Sequence, residues 1–169
     1  PHIFDAVEKL YPCLDGPDVK VKPVFFSRIM SYLDFTGFFF PITGEANVNM
    51  DFPPSLFAST VAHEISHQRG VAKEQEANFV AVLACLESGD ADYIYSAALL
   101  AYTHLGNALY SADYAAWLEI YHSLNDDVLR DFAANRAYWQ RFETTVQAVS
   151  QVSCWQTAPS AIAMSATPL

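Results

Sequence analysis

The sequence predicts an α+β fold that is mostly α-helical, with a small N-terminal sheet and about five helices. The first fifty or so residues are rich in turns and hold only short strand-like segments, whereas helix-length segments with capping residues follow them. With 169 residues, 52% hydrophobic and 17% charged, the chain can bury one core and is too apolar to be intrinsically disordered. We therefore expect one domain over residues 1–155 and a disordered, uncharged tail over residues 156–169.

The N-terminal third is predicted to consist of short elements. Residues 4–11 and 27–33 indicate short helices, and residues 19–24 alternate valine with lysine as a short strand does. The aromatic run Phe38–Phe40 ends at a proline, and Gly44 then turns the chain into a second strand. We expect the aromatic side chains of this run to belong to the core.

The second of these strands has one polar face. In an extended strand Glu45, Asn47 and Asn49 point to the same side, opposite Ala46 and Val48. This strand is a candidate sheet edge, along which an extended peptide would pair through its main chain. Its three polar side chains are then candidate substrate-binding residues. The alternative is an ordinary turn and strand.

Five helices are predicted in the remainder of the chain. They run from Ser55 to Arg69, from Ala72 to about Leu86, from Asp90 to about Tyr110, from Asp113 to Leu124, and from Asn125 or Asp126 to about Val152. Gly70 is expected to end the first of these helices. In the second helix Phe79, Leu83 and Leu86 recur at the spacing of an apolar helix face. Residues 93–112 carry no formal charge, but polar side chains are spread around that helix. We interpret it as a core helix and not as a membrane span.

The charge balance narrows the classes of partner. Nine Lys and Arg residues against nineteen Asp and Glu residues give a formal charge of -10, without any basic cluster. Nucleic acids and anionic membrane surfaces would both repel such a chain, so we expect no nucleic-acid partner. Cys13, Cys85 and Cys154 are too scattered for a disulfide framework or a CxxC metal motif. The chain begins without a methionine or a signal peptide, and we interpret it as a fragment or a processed form.

The strongest chemical signal is the segment from His63 to His67, HEISH, in the first of the five helices. Two histidines at i and i+4 lie one turn apart on the same helix face, so both imidazoles can bind one metal ion with Glu64 beside them. This is the HExxH pattern of zinc hydrolases. Zinc would lower the pKa of a bound water, and Glu64 would accept the proton of that water and pass it to the leaving amine. The pattern therefore predicts one zinc ion, with His63 and His67 as ligands.

A catalytic zinc site needs a third protein ligand, which is expected from the start of the next helix. Glu74 and Asn78 share a helix face, whereas Glu76 points about 160° away from Glu74. We predict Glu74 as the third ligand, with Glu76 as the alternative, and Asn78 as a partner that holds a ligating side chain in place. For both carboxylates the other possible role is favourable charge at a helix N-terminus. Lys73 stands where proteases of the HExxHxxGxxH type have their third histidine, which disfavours that class.

Several ordered motifs together resemble one protein family. They are Gly37-Phe38, residues 41–49 (PITGEANVN), residues 63–70 (HEISHQRG) and residues 74–79 (EQEANF), and the likeness covers about residues 22–151. The family is an uncharacterised bacterial one known as domain of unknown function 3810, whose members are regarded as membrane-anchored zinc peptidases. The spacing of Glu74 and Asn78 is also similar to the ExxxD segment of gluzincin peptidases, in which the first carboxylate binds zinc and the later acid steadies a histidine.

The resemblance implies a zincin-like metallopeptidase domain that is anchored to a membrane in full-length relatives and lies outside the cytoplasm. Any contact with a membrane would then involve segments outside this chain, which by itself is expected to be soluble. We predict a zinc-dependent metalloendopeptidase that acts on a peptide or protein substrate. The alternative is a non-catalytic, zinc-bearing sensor or interaction domain of a membrane protein. A third possibility is a zinc hydrolase of a non-peptide amide, for instance in cell-wall material.

Overall fold

The computed structural model describes residues 2–16 and 20–142, which are mostly helical and include one small sheet. The helices are α1 (Asp5–Leu10), α2 (Ser27–Tyr32), α3 (Phe57–Gln68), α4 (Glu74–Glu87), α5 (Ala91–Ala112), α6 (Tyr114–Ser123) and α7 (Asp126–Gln140). The prediction of a mostly α-helical α+β fold is confirmed. The seven helices of the described residues comprise the five predicted long ones and the two short N-terminal ones.

Helix starts were predicted well where a side chain caps them. The Asp113 carboxylate accepts a hydrogen bond from the Ala116 N–H at 3.0 Å, and the Asn125 side chain accepts one from the Val128 N–H at 2.9 Å. Each bond satisfies an N–H group that has no partner within its own helix. α7 ends at Gln140, and most of the predicted extension to Val152 falls on residues that the structure does not describe. Residues 143–152 and the predicted tail over residues 156–169 lie outside the described residues.

The beginning of α3 differs from the prediction. Ser55 lies in a 3₁₀ turn, Pro54–Leu56, and α3 begins only at Phe57, so Ser55 is not its N-cap. The proline at the start of this turn fixes its backbone angle and has no N–H group. Both properties favour a tight turn ahead of the regular helix.

The three strands form a sheet in the order β1-β3-β2, where β1 is Lys22–Pro23, β2 is Gly37–Phe40 and β3 is Glu45–Val48. β1 pairs parallel to β3, and β2 pairs antiparallel to it. β3 is therefore the central strand, and the prediction that it is a sheet edge is wrong. The reason is the long-range pairing with β1, which brings a segment more than twenty residues upstream against β3. Among the described strands, β2 lies at an edge of the sheet instead, since it bonds to β3 on one side.

One face of this sheet packs against α3. Ala46 and Val48 are buried, and their register partners Phe39 and Gly37 share that face. Phe38 and Phe40 point to the other face and are 39% and 45% exposed, so the expectation that the whole aromatic run belongs to the core is wrong for these two. Alternation in a strand divides even a continuous apolar run between two faces.

Small residues pack α4 against α3. Ala81 and Ala84 of α4 and Ala62 of α3 are completely buried in one core cluster. The predicted apolar face of α4 is buried only in part, because Leu83 packs against this core whereas Phe79 is 65% exposed and Leu86 is 47% exposed. Alanines at the contact let two helix backbones approach closely, which brings the start of α4 near the histidines of α3.

The C-terminal end of α3 is tied to the N-terminal segment through Arg69. Its side chain is 3% exposed, forms an ion pair with Glu8 and donates a hydrogen bond to the Leu14 carbonyl at 2.7 Å. The guanidinium also lies over the Phe4 ring, 4.5 Å from its centroid. These contacts hold the end of the helix that carries the HExxH segment.

The chain divides into two compact units, Pro1–Leu100 and Ala101–Leu169. The first unit contains the sheet, α1 to α4 and the start of α5. The described part of the second unit is built on aromatic contacts. Trp117 is 2% exposed and stacks on Tyr121 at a centroid distance of 5.1 Å, and the rings of Tyr102 and Phe132 lie 5.4 Å apart.

None of the helices within residues 2–16 and 20–142 is both long enough and apolar enough to cross a membrane. This agrees with the interpretation of residues 93–112 as something other than a span. The core assignment holds for part of that helix only, since Ser96 and Ala97 are buried whereas Leu105 is 70% exposed.

Alkylation is expected to distinguish the two cysteines of the described residues. Cys85 lies in the core, and its burial raises the pKa of its thiol to about 12, whereas Cys13 is exposed. Iodoacetamide reacts with thiolates, so the folded protein should be labelled at Cys13 and spared at Cys85 until denaturant is added. Peptide mapping by mass spectrometry reads each site separately. Equal labelling of Cys85 in the folded protein would contradict this packing.

Candidate metal centre

α3 brings the two histidines of the HExxH segment together as their spacing predicts. Their Nε2 atoms lie 2.9 Å apart, and the ring centroids are separated by 4.5 Å. His63 is 2% exposed and the side chain of His67 is 14% exposed. Two imidazole nitrogens therefore point at one place at the edge of the core.

Glu74, the first residue of α4, completes this cluster. Its Oε2 atom lies 3.2 Å from His63 Nε2, and its Oε1 atom lies 3.5 Å from His67 Nε2. Gly70 makes the approach possible, because its φ of +92° reverses the chain just after α3. The side chain of Glu74 is 48% exposed, so the cluster is reached from solvent on that side.

The orientation of His67 is set by a main-chain carbonyl. Its Nδ1 atom lies 2.7 Å from the Val71 carbonyl oxygen. A carbonyl only accepts hydrogen bonds, so Nδ1 donates to it, and the neutral form of the ring then presents the Nε2 lone pair to the cluster. The turn between α3 and α4 thus orients one histidine as well as delivering Glu74.

The three side chains fit a zinc ion in donor type and in spacing. Tetrahedral zinc binds imidazole nitrogen and carboxylate oxygen at about 2.0–2.2 Å, which separates its ligand atoms by about 3.3–3.6 Å. The observed separations of 2.9, 3.2 and 3.5 Å are close to that range. Among the described residues this is the group of histidine, cysteine and acidic side chains whose ligand atoms lie within 4.8 Å of one another.

Of the two carboxylates between which the sequence left a choice, Glu74 lies beside the histidines. Glu76 pairs with Lys73 at 2.8 Å, and both side chains are largely exposed. Asn78 is 8% exposed and lies one helical turn after Glu74, and its Oδ1 atom accepts no hydrogen bond from a described residue. Its role in holding a ligand stays a prediction.

Glu64 lies on α3 between the histidines and is 4% exposed. Its Oε2 atom is buried without a hydrogen bond to any residue that the structure describes. Burial, and secondarily the negative charge of Glu74, raise the pKa of the Glu64 carboxyl to about 8. A cation beside the Glu64 carboxyl group would favour its charged form. The arrangement places a buried carboxyl group with a raised pKa next to three side chains that could hold a cation.

The polar residues predicted for the strand at residues 45–49 have other partners. Glu45 pairs with Lys22, whose hydrogen bond lowers the pKa of the Glu45 carboxyl. The Asn47 amide donates to the Glu45 carbonyl at 3.1 Å. Asn49 is completely buried and donates to the Ser31 hydroxyl at 2.9 Å. The structure does not gather these three candidate substrate-binding residues at the cluster of His63, His67 and Glu74.

Two contributors to the site carry little sequence signal. The Val71 carbonyl belongs to the main chain, so the residue type at position 71 gives no sign of this hydrogen bond. Gly37, at the start of β2, lies directly against Glu64. Gly37 belongs to one of the ordered motifs, and a glycine inside a strand pattern is the available hint that something approaches its backbone closely.

Fold and site together define a helical α+β protein with a two-histidine, one-carboxylate cluster and a buried carboxyl group beside it. The chain belongs to the family of proteins of unknown function DUF3810, whose profile matches residues 2–154. The family assignment made from the ordered motifs is thereby confirmed. Comparison with curated proteins and with solved structures gives no significant match.

Proposed function

We propose that this protein is a zinc-dependent peptidase that uses Glu64 as general base. The observation that carries the proposal is the convergence of His63 Nε2, His67 Nε2 and the Glu74 carboxylate within 3.5 Å of one another, next to a buried carboxyl group. Such a set of two imidazoles and one carboxylate is a common catalytic zinc site.

The four side chains take two different roles in this proposal. His63, His67 and Glu74 would hold the ion. When bound, zinc supplies a Lewis acid that polarises the scissile carbonyl and makes the attacking water more acidic. Glu64 accepts the proton of that water and then delivers it to the nitrogen of the leaving peptide. Its burial excludes competing bulk water from the carboxyl group.

The number of ligands favours catalysis over a closed structural site. Structural zinc sites normally have four protein ligands, whereas catalytic sites have three and one open position. Three ligand-type side chains gather in the part of the chain that the structure describes, and the nearby Glu76 is engaged by Lys73. The half-exposed Glu74 marks the side from which a substrate would enter.

β2 is the best candidate for the strand that a peptide substrate pairs with. Within the described residues it bonds to β3 along one edge, and its first residue contacts Glu64. An extended peptide added to the other edge would run past the proposed general base. This replaces β3, whose two edges are both paired.

Metal removal tests the proposal directly. We expect the purified protein to contain about one zinc ion per chain by mass spectrometry of the metal, and to hydrolyse fluorescein-labelled casein. Treatment with 1,10-phenanthroline should abolish hydrolysis, and added zinc should restore it. Protein that holds zinc but leaves casein and a library of unstructured peptides intact would favour the sensor alternative. Hydrolysis that survives complete removal of the metal would contradict the mechanism.

A further inference from the structure

The Glu64 side chain occupies the space that a side chain at position 37 would need. A Cβ atom built on Gly37 would lie 2.5 Å from Glu64 Oε1, 2.7 Å from its Cγ and 2.8 Å from its Cδ. Non-bonded carbon atoms normally approach to about 3.5–4.0 Å. The carboxyl group and the methylene next to it therefore both rest on the backbone of β2.

The backbone conformation of Gly37 does not itself require glycine. Gly44, Gly70 and Gly89 have positive φ angles and open space around their missing side chains, but Gly37 has no positive φ. It lies in a regular antiparallel register opposite Val48. Glycine weakens a strand at such a position, so close approach of another group is the physical reason for it here.

Glu64 has little room to move away from a larger residue. It is 4% exposed and its backbone is fixed inside α3, so a methyl group on β2 would push the whole side chain and not only its tip. The three atoms nearest to that Cβ position all belong to Glu64, and none belongs to the histidines or Glu74 of the cluster. A change at this position would thus displace the carboxyl group and leave the cluster of ligands in place.

We propose that Gly37 is a positioning residue for Glu64. The absence of a side chain at position 37 lets the Glu64 carboxyl group lie at the distance from His63, His67 and Glu74 that proton transfer requires. The inference rests on the proposed role of Glu64 as general base. This role also explains why β2 begins with glycine. The strand along which a peptide would pair then fixes the position of the general base as well.

Hydrolysis and metal content are expected to separate in Gly37→Ala. A misplacement of a reacting group by about 1 Å can lower turnover by about 100-fold. We expect a loss of that order in casein hydrolysis, with an unchanged Michaelis constant and an unchanged zinc content of about one ion per chain. Gly106→Ala is the matched control, because a Cβ there meets its nearest neighbours at an ordinary 3.7–3.8 Å. It should leave both measurements unchanged.

Thermal unfolding tests the contact without any need for activity. Gly37→Ala should lower the melting temperature by several degrees in the wild-type chain and equally in Glu64→Gln, because glutamine has the same shape as glutamate. In Glu64→Ala the same substitution should be neutral or stabilising, since the obstructing side chain is gone and alanine restricts the unfolded chain more than glycine does.

These two experiments distinguish failure of this inference from failure of the proposed function. Equal effects of Gly37→Ala on melting in all three backgrounds would overturn the contact, whatever the activity. The effect of Gly37→Ala on the melting temperature could depend on residue 64 while Gly37→Ala still hydrolyses casein fully. That result would show that the contact does not position a base. The wild-type protein could instead bind zinc but hydrolyse nothing, while the effect of Gly37→Ala on the melting temperature still depends on residue 64. That result would confirm the packing but reject the peptidase, and with it the positioning role.

Discussion

Glu64→Gln is expected to lower casein hydrolysis by about 10²–10⁴-fold while the protein keeps its zinc, because a positioned general base typically contributes that much. Glutamine has nearly the same shape as glutamate but cannot accept a proton from water. None of the proposed ligand atoms is altered. Turnover and the metal content of the same preparation are the measurements.

Stability supplies a control for this variant. Glu64 is buried, and its burial raises the pKa of the carboxyl group, so the neutral amide should not lower the melting temperature. The exposed Glu87, replaced by glutamine in the same way, should leave hydrolysis unchanged. Wild-type turnover in Glu64→Gln would eliminate this residue as the general base. Loss of zinc together with activity would mean that the substitution disrupts metal binding and does not isolate the proton-transfer step.

Glu74→Ala is expected to weaken zinc binding by more than 100-fold, which exceeds the roughly 10–100-fold effect typical of groups that only support a ligand. The substitution removes the carboxylate that lies 3.2 Å from His63 Nε2 and 3.5 Å from His67 Nε2. Two imidazoles alone hold zinc poorly. Competition with a chromophoric chelator measures the affinity.

Glu76→Ala is the matched control for Glu74→Ala. It removes the same charge from the same first turn of α4, but its carboxylate pairs with the exposed Lys73 and not with a histidine. We expect zinc affinity close to that of the wild type. If Glu76→Ala weakens binding and Glu74→Ala does not, the assignment of the third ligand is wrong.

The chelator experiment and these two substitutions examine different parts of the same proposal. Metal removal asks whether the ion is needed, Glu74→Ala asks what holds it, and Glu64→Gln asks what moves the proton. The closeness of Glu64 and Glu74 links them, since the negative charge of Glu74 makes the Glu64 carboxyl group harder to ionise unless a cation lies nearby.

Local periodicity explains why much of the site was predictable. His63, Glu64 and His67 are fixed relative to one another by the helical repeat alone, so their spacing was sufficient. Gly70 and the capping residues Asp113 and Asn125 act within a few residues of themselves, and they end or begin helices as expected. Interactions of this range can be inferred from sequence because no distant segment takes part.

Pairings between distant segments were predicted less well. The strand at Glu45–Val48 was identified, but its central place in the sheet depends on Lys22–Pro23, which lies far upstream. The helix at Glu74–Glu87 was also identified, but its buried face is lined by alanine, and Phe79 is exposed. The spacing of apolar residues shows that a helix has an apolar face. The element that packs against the helix decides which face is buried.

The sequence by itself determined that this protein has a mostly helical α+β fold, two histidines on one helix face with a glutamate beside them, and membership of one family. Only the tertiary structure decided that Glu74 and not Glu76 meets the histidines, that Asn49 is buried, and that Gly37 lies against Glu64. The physical reason is the range of the interactions. A helical repeat is set within a few neighbouring residues, whereas the approach of one element to another depends on the volumes of side chains that lie far apart along the chain.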